Sequence, residues 1–462
     1  MKRLYNLNGL DIEQLLKKEG FKDNYIKKQL PKYYYLLSKM IFKYSQRLDN
    51  NGYVRVSSQE LINSLGQTGY LKDNPWFIKK NWKNKYLYLI IREQLYDWGV
   101  IYFKTTQKSI DSKEVKYKIL DEWRAKGYHL VKPIIDKKLE DRFIQNNHEN
   151  ITYSGIYKVL NDNLNSVKID AQSAYKWLYT ASTYDYKLPN KKDLYGRINE
   201  RSIGIQTVSD WSLLIENAEN HSWFTADLGK SGRVYTPFTS LPKLLRQFVL
   251  INGKLTAEMD IANSQPLIFC ILLKQLLLRQ GILVFPDDVN KYISLCETGS
   301  FYIHIIGVVE QNGIKIPDYS LFKTEFFAKI FFDKEKRSNK WRKLFDKEFP
   351  TISACISDLK KDTNGHNLAV RLQSIESDIM IKGVAKKLID NGCNDFYTLH
   401  DALYVSVGNQ EMVKQLIIEE FKIYGLSVTV KTKLDCFDFL LMMLMPYLFD
   451  SYLYFKGDSW KA

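Results

Sequence analysis

The chain has 462 residues, too many for one ordinary domain, so two or three are expected. With 45% hydrophobic and 26% charged residues it is not a disordered chain. A formal net charge of +15 favours a polyanionic partner, nucleic acid or an anionic membrane surface. The five cysteines (Cys270, Cys296, Cys355, Cys393, Cys436) include no CxxC pair, which argues against a disulfide framework or zinc site and fits a reducing, cytoplasmic compartment.

The N-terminus, MKRLYNLNGL, carries no apolar signal segment. Residues 26–46 place Tyr33, Leu36, Leu37 and Ile41 at helical spacing. Asn50-Asn51-Gly52 marks a turn, and Tyr53-Val54-Arg55-Val56 alternates like a short strand. Ser57 and Ser58 open a second helix, residues 85–97 a third, and VIYFK with VKYKIL predicts a hairpin. Strand, helix, helix, hairpin is the order of a winged helix, a module that often puts a helix in a DNA groove and its wing on the backbone. Residues 131–225 are polar, with helices expected near 137–146 and 171–182 and Asn-rich punctuation at Asn146, Asn147, Asn150, Asn161, Asn163 and Asn165. Two apolar stretches read as core, not membrane spans: Leu267 to Phe285 is interrupted by Lys274 and Arg279, and Phe437 to Leu448 is short and holds Pro446.

The chemical signals concentrate after Asp227. Leu255 to Ile261 predicts a strand ending near Asp260, followed by a long apolar helix. Phe396 to Val407 predicts a hairpin with His400 and Asp401 at its tip. Either carboxylate alone is ordinary. Together, on adjacent strands, they form the clamp that phosphoryl transfer requires, in which carboxylates hold two hard cations about 3.5–4 Å apart. Lys323, Phe327 and Phe331 stand at i, i+4 and i+8, the spacing of one helix face.

The stretch from Gly232 to Val407 resembles the palm and fingers of family-A DNA polymerases and the related single-subunit phage-type RNA polymerases. Gly232-Arg233-Val234-Tyr235 resembles the Gly-Arg segment before the first catalytic motif, Asp260 to Gln265 resembles motif A, and Leu399-His400-Asp401-Ala402 resembles motif C. Phe349-Pro350 stands where that family has an aromatic-Pro pair. The resemblance implies an α+β right-hand fold, with thumb, an antiparallel-sheet palm and helical fingers. Its division would be 1–130 (winged-helix-like), 131–225 (thumb-like) and 226–462 (palm and fingers). It also implies Asp260 and Asp401 as catalytic ligands of two Mg2+ ions (Mn2+ as a substitute). Lys323, Phe327, Phe331, Gln265 and Arg233 would contact the nucleotide, and Gln373, Arg371 and His400 the primer-template.

The expected function is a DNA-directed DNA polymerase without a proofreading exonuclease, acting on primer-template DNA with dNTPs in replication of a phage or mobile element, with replication accessory proteins as possible partners and no membrane. Three positions depart from the family. Gln265 replaces a Glu that excludes the ribose 2′-hydroxyl, Ala402 replaces the Glu after the motif C Asp, and Tyr319 stands where an Arg helps bind triphosphate, with Lys329, Lys336 or Arg337 as substitutes. These keep an RNA polymerase or primase using NTPs open. A DNA-binding replication protein with an inactive palm is the alternative from another class.

Overall fold

The computed structural model describes residues 4–46, 52–67, 74–80, 86–109, 112–131, 135, 137–145, 152–192, 198–221, 224–316, 318–332, 340–361 and 367–434. Asn50, Asn51, Asn146, Asn147, Asn150, Lys336, Arg337, Cys436 and the stretch 437–448 lie outside them. The fold is α+β with antiparallel sheets, and it divides into two compact units. Residues 1–152, 175–186 and 202–217 form the first, and 153–174, 187–201 and 218–462 the second.

This division differs from the expected cuts at 130 and 225. Within the first unit Trp177 stacks on Trp211, and Arg124 pairs with Asp210. In the second, strand Val167–Ile169 pairs with Val249–Ile251. The polar middle stretch supplies edges to two cores and does not build its own.

The first unit opens with strand Leu4–Leu7, paired with Tyr128–Val131. Helix Asp23–Gln46 forms as the spacing predicts and buries Tyr33, Leu36, Leu37 and Ile41, but it is buried nearly all round, with Tyr35, Ser38 and Met40 also inside. Strand Val54–Arg55 follows, then helix Ser58–Leu65, whose first turn is capped by the Ser57 hydroxyl accepting from the Glu60 N–H at 3.3 Å. After helices Pro75–Lys80 and Leu87–Asp97 comes the expected hairpin, Ile101–Ser109 and Ser112–Ile119. Its second strand lies in the middle of a three-stranded sheet, between Val54–Arg55 and Ile101–Ser109.

A six-stranded antiparallel sheet organises the second unit. Its central strand, Lys254–Ile261, pairs with Ala402–Ser406 on one side and with Val249–Ile251 and Val430–Leu434 on the other. Phe396–Leu399 lies outside Ala402–Ser406, and Val167–Ile169 outside Val249–Ile251. An Asn-Gly turn sets the first register: Asn252 (φ 49°) and Gly253 (φ 74°) join Ile251 to its partner Lys254. Period-two alternation then decides the faces. Ala257, Met259 and Ile261, with Leu403 and Val405, enter the core with Val413, Ile417 and Phe421 of helix Gln410–Ile423. Thr256, Glu258 and Asp260 point the other way.

Helix Ser264–Arg279 follows the central strand, with Leu267 to Leu273 buried, so the first part of this apolar run is core as expected, whereas Leu278, Leu283 and Val284 are exposed. Among the described residues no single helix is long and apolar enough to cross a membrane. Cys270, Cys296, Cys355 and Cys393 are free and buried.

Candidate active site

Asp260 lies opposite Ala402, and Ala402 lies opposite Leu399. His400 and Asp401 are therefore the two-residue turn of the neighbouring hairpin, which brings Asp401 to the end of the strand carrying Asp260. His400 makes that turn with φ 56°, and Asn263, just before helix Ser264–Arg279, has φ 53°. Left-handed backbone at non-glycine residues is uncommon and is held only where surrounding contacts over-determine it. Here it occurs on both connections that define the acidic end of the sheet.

Burial raises the cost of ionising both carboxylates. Burial pushes the Asp401 carboxyl above the usual range, and the Asp260 charge pushes it further; Ser264 and the Arg233 guanidinium pull it back. Burial likewise raises Asp260, with Glu258 adding repulsion, while Lys433 and Lys431 oppose both. Lys433 Nζ stands 3.7 Å from Asp260 and 3.8 Å from Glu258, reaching across from the adjacent strand.

Arg233 sits in the short hairpin formed by Thr225–Ala226 and Val234–Tyr235. Gly232 turns the chain at φ 69°, and a Cβ there would stand 3.1 Å from the Tyr157 hydroxyl and 3.2 Å from Ser377 Cβ, so the tight approach requires glycine. Arg233 donates from Nη2 at 2.6 Å and Nε at 2.8 Å to one oxygen of Glu376. The other Glu376 oxygen accepts from the Gln265 amide.

Glu376 is 1% exposed, and burial pushes its carboxyl up to about 7, with Arg233 holding it down and Asp401 raising it. The sequence reading missed this residue. The available signal was its place three residues after Gln373, one turn along the same helix face. His400 is held low, at about 4, by burial and by the charges of Arg233 and Arg246. Its ring meets Tyr235 edge-on at 5.6 Å. Arg246, also missed, donates to the Tyr404 hydroxyl at 3.2 Å.

Buried polar atoms without hydrogen-bond partners among the described residues gather here: Asn263 Nδ2, Gln265 Oε1, Ser377 Oγ, His400 Nδ1 and Glu258 Oε2. Buried polar groups are normally satisfied, so such a concentration marks a place built to meet something polar.

The structure thus joins Asp260, Asp401, Arg233, Gln265 and His400 through direct or electrostatic contacts. Arg371 and Gln373 are half-buried on helix Asn367–Ser377, the helix that carries Glu376. The helical triad is different. Helix Tyr319–Phe327 gives way to a π-helical segment, Ala328–Phe332, so the expected regular face does not continue through Phe331. Lys323 is exposed, with Nζ 5.6 Å from the Tyr302 ring centroid. Phe327 and Phe331 stack on each other at 4.3 Å inside the core, and Phe331 meets Phe269. Lys329 lies 3.4 Å from Glu325 and 4.4 Å from the Trp341 ring centroid, and the Tyr319 hydroxyl donates to Glu310. Phe349 is fully buried, and Pro350 opens the next helix, Pro350–Lys361.

No three His, Cys, Asp or Glu side chains among the described residues form a metal-binding group. The acidic pair fits a cation bound in another way, by one or two carboxylates with the remaining positions taken by water and substrate phosphate, the usual manner of Mg2+. No protein-family model matches the chain, and no curated protein matches it significantly in sequence.

Proposed function

We propose that the chain is a template-directed nucleotidyltransferase, and specifically a DNA-directed DNA polymerase whose right-hand palm is the six-stranded sheet, with helical fingers between the two Asp-bearing hairpins and a winged helix in the first unit. The observation that carries this reading is the convergence of Asp260 and Asp401 on adjacent strand ends, where the Asp260 charge raises the cost of ionising Asp401. Asp260 and Asp401 would hold Mg2+ ions. Bound there, the ions would activate the attacking hydroxyl and neutralise charge on the departing pyrophosphate.

The protein's own residues do the remaining work. Arg233, fixed by Glu376, holds positive charge beside Asp401. Lys433 partly balances Asp260 until substrate arrives. Lys323 is exposed and carries no ion pair among the described residues, which leaves its ammonium able to meet a triphosphate. Phe327 and Phe331, committed to the core, set that helix in place and do not offer an open stacking face. Primer extension tests the proposal: incorporation should require Mg2+ and a template, and Asp260→Ala should abolish it. A preparation that incorporates neither dNTPs nor NTPs on any primed or unprimed template would sink it. Running dNTPs against NTPs decides between DNA synthesis and the RNA alternative left open by Gln265 and Ala402.

A further inference from the structure

The face of the six-stranded sheet that carries Asp260 also carries a short ladder of opposite charges. Directly opposed residues share a face. Glu258 and Asp260 of strand Lys254–Ile261 therefore look across at Lys433 and Lys431 of strand Val430–Leu434. Lys431 is exposed. Lys433 is opposite Glu258 and diagonal to Asp260, and its Nζ stands 3.8 Å from the first carboxylate and 3.7 Å from the second.

An ammonium committed to one carboxylate closes to about 2.8 Å. Lys387 does so with Glu420 at 2.7 Å, and Lys291 with Glu348 at 2.6 Å, both in this unit. Lys433 stands midway, within reach of two carboxylates and closed on neither. Glu258 is 9% exposed, and its Oε2 is buried without a hydrogen-bond partner among the described residues. A buried oxygen left without a donor destabilises the fold. Moving the Lys433 ammonium about 1 Å toward Glu258, to the roughly 2.8 Å of a charge-assisted bond, would satisfy that oxygen and clear Asp260.

We infer that Glu258 is a positioning residue: it draws the Lys433 ammonium off Asp260 when a divalent cation arrives there. Before that, Lys433 neutralises part of the acidic end of the sheet. The same positive charge would compete with the cation if it had nowhere to go. Glu258 supplies the second seat on the same face, so one ion pair tightens as the other is given up. The inference rests on the proposed function in taking Asp260 and Asp401 to hold a divalent cation, and it does not require nucleotide transfer.

Mn2+ binding to the full chain tests it, read from the EPR signal of the free ion, without nucleic acid or nucleotide. Glu258→Gln keeps the side-chain shape and should weaken binding about tenfold, because Lys433 then has only Asp260 to meet; coupling of that size is ordinary between charged residues in contact. Adding Lys433→Met should reverse the loss. The double variant should bind at least as tightly as the parent, although it has lost a carboxylate. A double variant as weak as Glu258→Gln overturns the inference, since Glu258 would then act on the cation itself and not through Lys433. Unchanged binding in Glu258→Gln overturns it as well. Asp260→Ala separates this result from the proposed function. Binding that survives Asp260→Ala removes the proposed site, and the inference falls with it. Binding that needs Asp260 but ignores Glu258 and Lys433 keeps the site and removes the inference. A chain that shows the loss and its reversal but never incorporates a nucleotide keeps the exchange and loses the polymerase reading.

Discussion

Two largely buried arginine–carboxylate pairs, one from each unit, are finished differently. In the first unit Arg124 meets Asp210 at 3.1 Å. The Tyr128 hydroxyl donates to the same carboxylate. The Gln206 amide, oriented with its oxygen toward the guanidinium, accepts from Nε at 2.8 Å and Nη1 at 2.9 Å. The Tyr44 ring lies against the guanidinium plane, 4.1 Å away. In the second unit Arg233 and Glu376 are closer still, yet Gln265 Oε1 and Ser377 Oγ nearby lack partners among the described residues, and Asp401 adds a second negative charge. One pair is closed on itself and fastens a fold. The other is embedded in unmet hydrogen-bonding capacity. The difference shows that an ion pair by itself says little about function; the unsatisfied groups around it carry the signal.

The largest expected effects separate chemistry from stability. Asp401→Ala and Asp260→Ala should each lower nucleotide incorporation by at least about 10³-fold, since stabilising transition-state charge is usually the largest single contribution. Their urea midpoints should hold or rise, because each change relieves repulsion between two carboxylates. A variant that keeps its incorporation rate would place the site elsewhere. Arg124→Ala should do the reverse. It leaves Asp210 buried and unpaired, a loss of about 3–5 kcal/mol, while incorporation per folded molecule at low temperature stays unchanged. If Arg124→Ala proves as stable as the parent in urea, the closed pair is not the fastening described here.

The pH dependence of stability sharpens the contrast. Burial raises Glu376 to about 7, so the folded state holds its proton where the unfolded state has lost it. Stability from this group is therefore complete below about pH 4.5, the range of an ordinary glutamate, and is lost as pH rises through about 7. Asp210 is raised by the same cause and acts in the same direction. Urea midpoints measured without divalent cations should fall across that interval, and Glu376→Gln should flatten the fall. A parent midpoint that climbs between pH 5 and 7 would show that Arg233 keeps Glu376 ionised and that the site is closed after all.

The sequence made the acidic end of the sheet legible because its signals are local. Alternation from Leu255 to Ile261 and the His400-Asp401 tip each fix a strand or its register within a few residues, and both appear where expected. Glu376 was not legible. Its role depends on Arg233, 143 positions away, and on Gln265, 111 away, and no local periodicity encodes such contacts. The helix carrying Lys323, Phe327 and Phe331 departs from the expected regular pitch for another reason. Spacing of i, i+4, i+8 assumes one pitch throughout, whereas the backbone changes to π-helix after Phe327. Helix Asn367–Ser377 also changes pitch, passing into π-helix at Asp378–Ala385, where Gly383 leaves room for the Glu420 carboxyl that pairs with Lys387. The middle of the chain, 131–225, was read as one block because its polarity is uniform, but its few apolar residues are divided between two cores.

The smallest expected effect lies at Gln265, where the two kinds of carboxylate setting meet. Its amide donates to Glu376, and its Oε1 is buried without a partner. That geometry fixes the side chain through its amide nitrogen and leaves a neutral acceptor unmatched among the described residues. A neutral, immobilised side chain can exclude a ribose 2′-hydroxyl by volume alone, but a buried acceptor can also welcome one as a donor, so the two sugars are separated by only part of a clash. Gln265→Ala removes the volume and the acceptor together. It should lower the dNTP preference over NTP by a few-fold, within the roughly 10–200-fold that a pocket's shape supplies, with little change in the rate on dNTPs. Glu376→Gln, which keeps the volume but loosens the hold on Gln265, should shift the same ratio less. Equal ratios in parent and Gln265→Ala would move sugar selection away from this residue and leave Gln265 as a brace for Glu376, making the second pair more like the closed one than its unmatched atoms suggest.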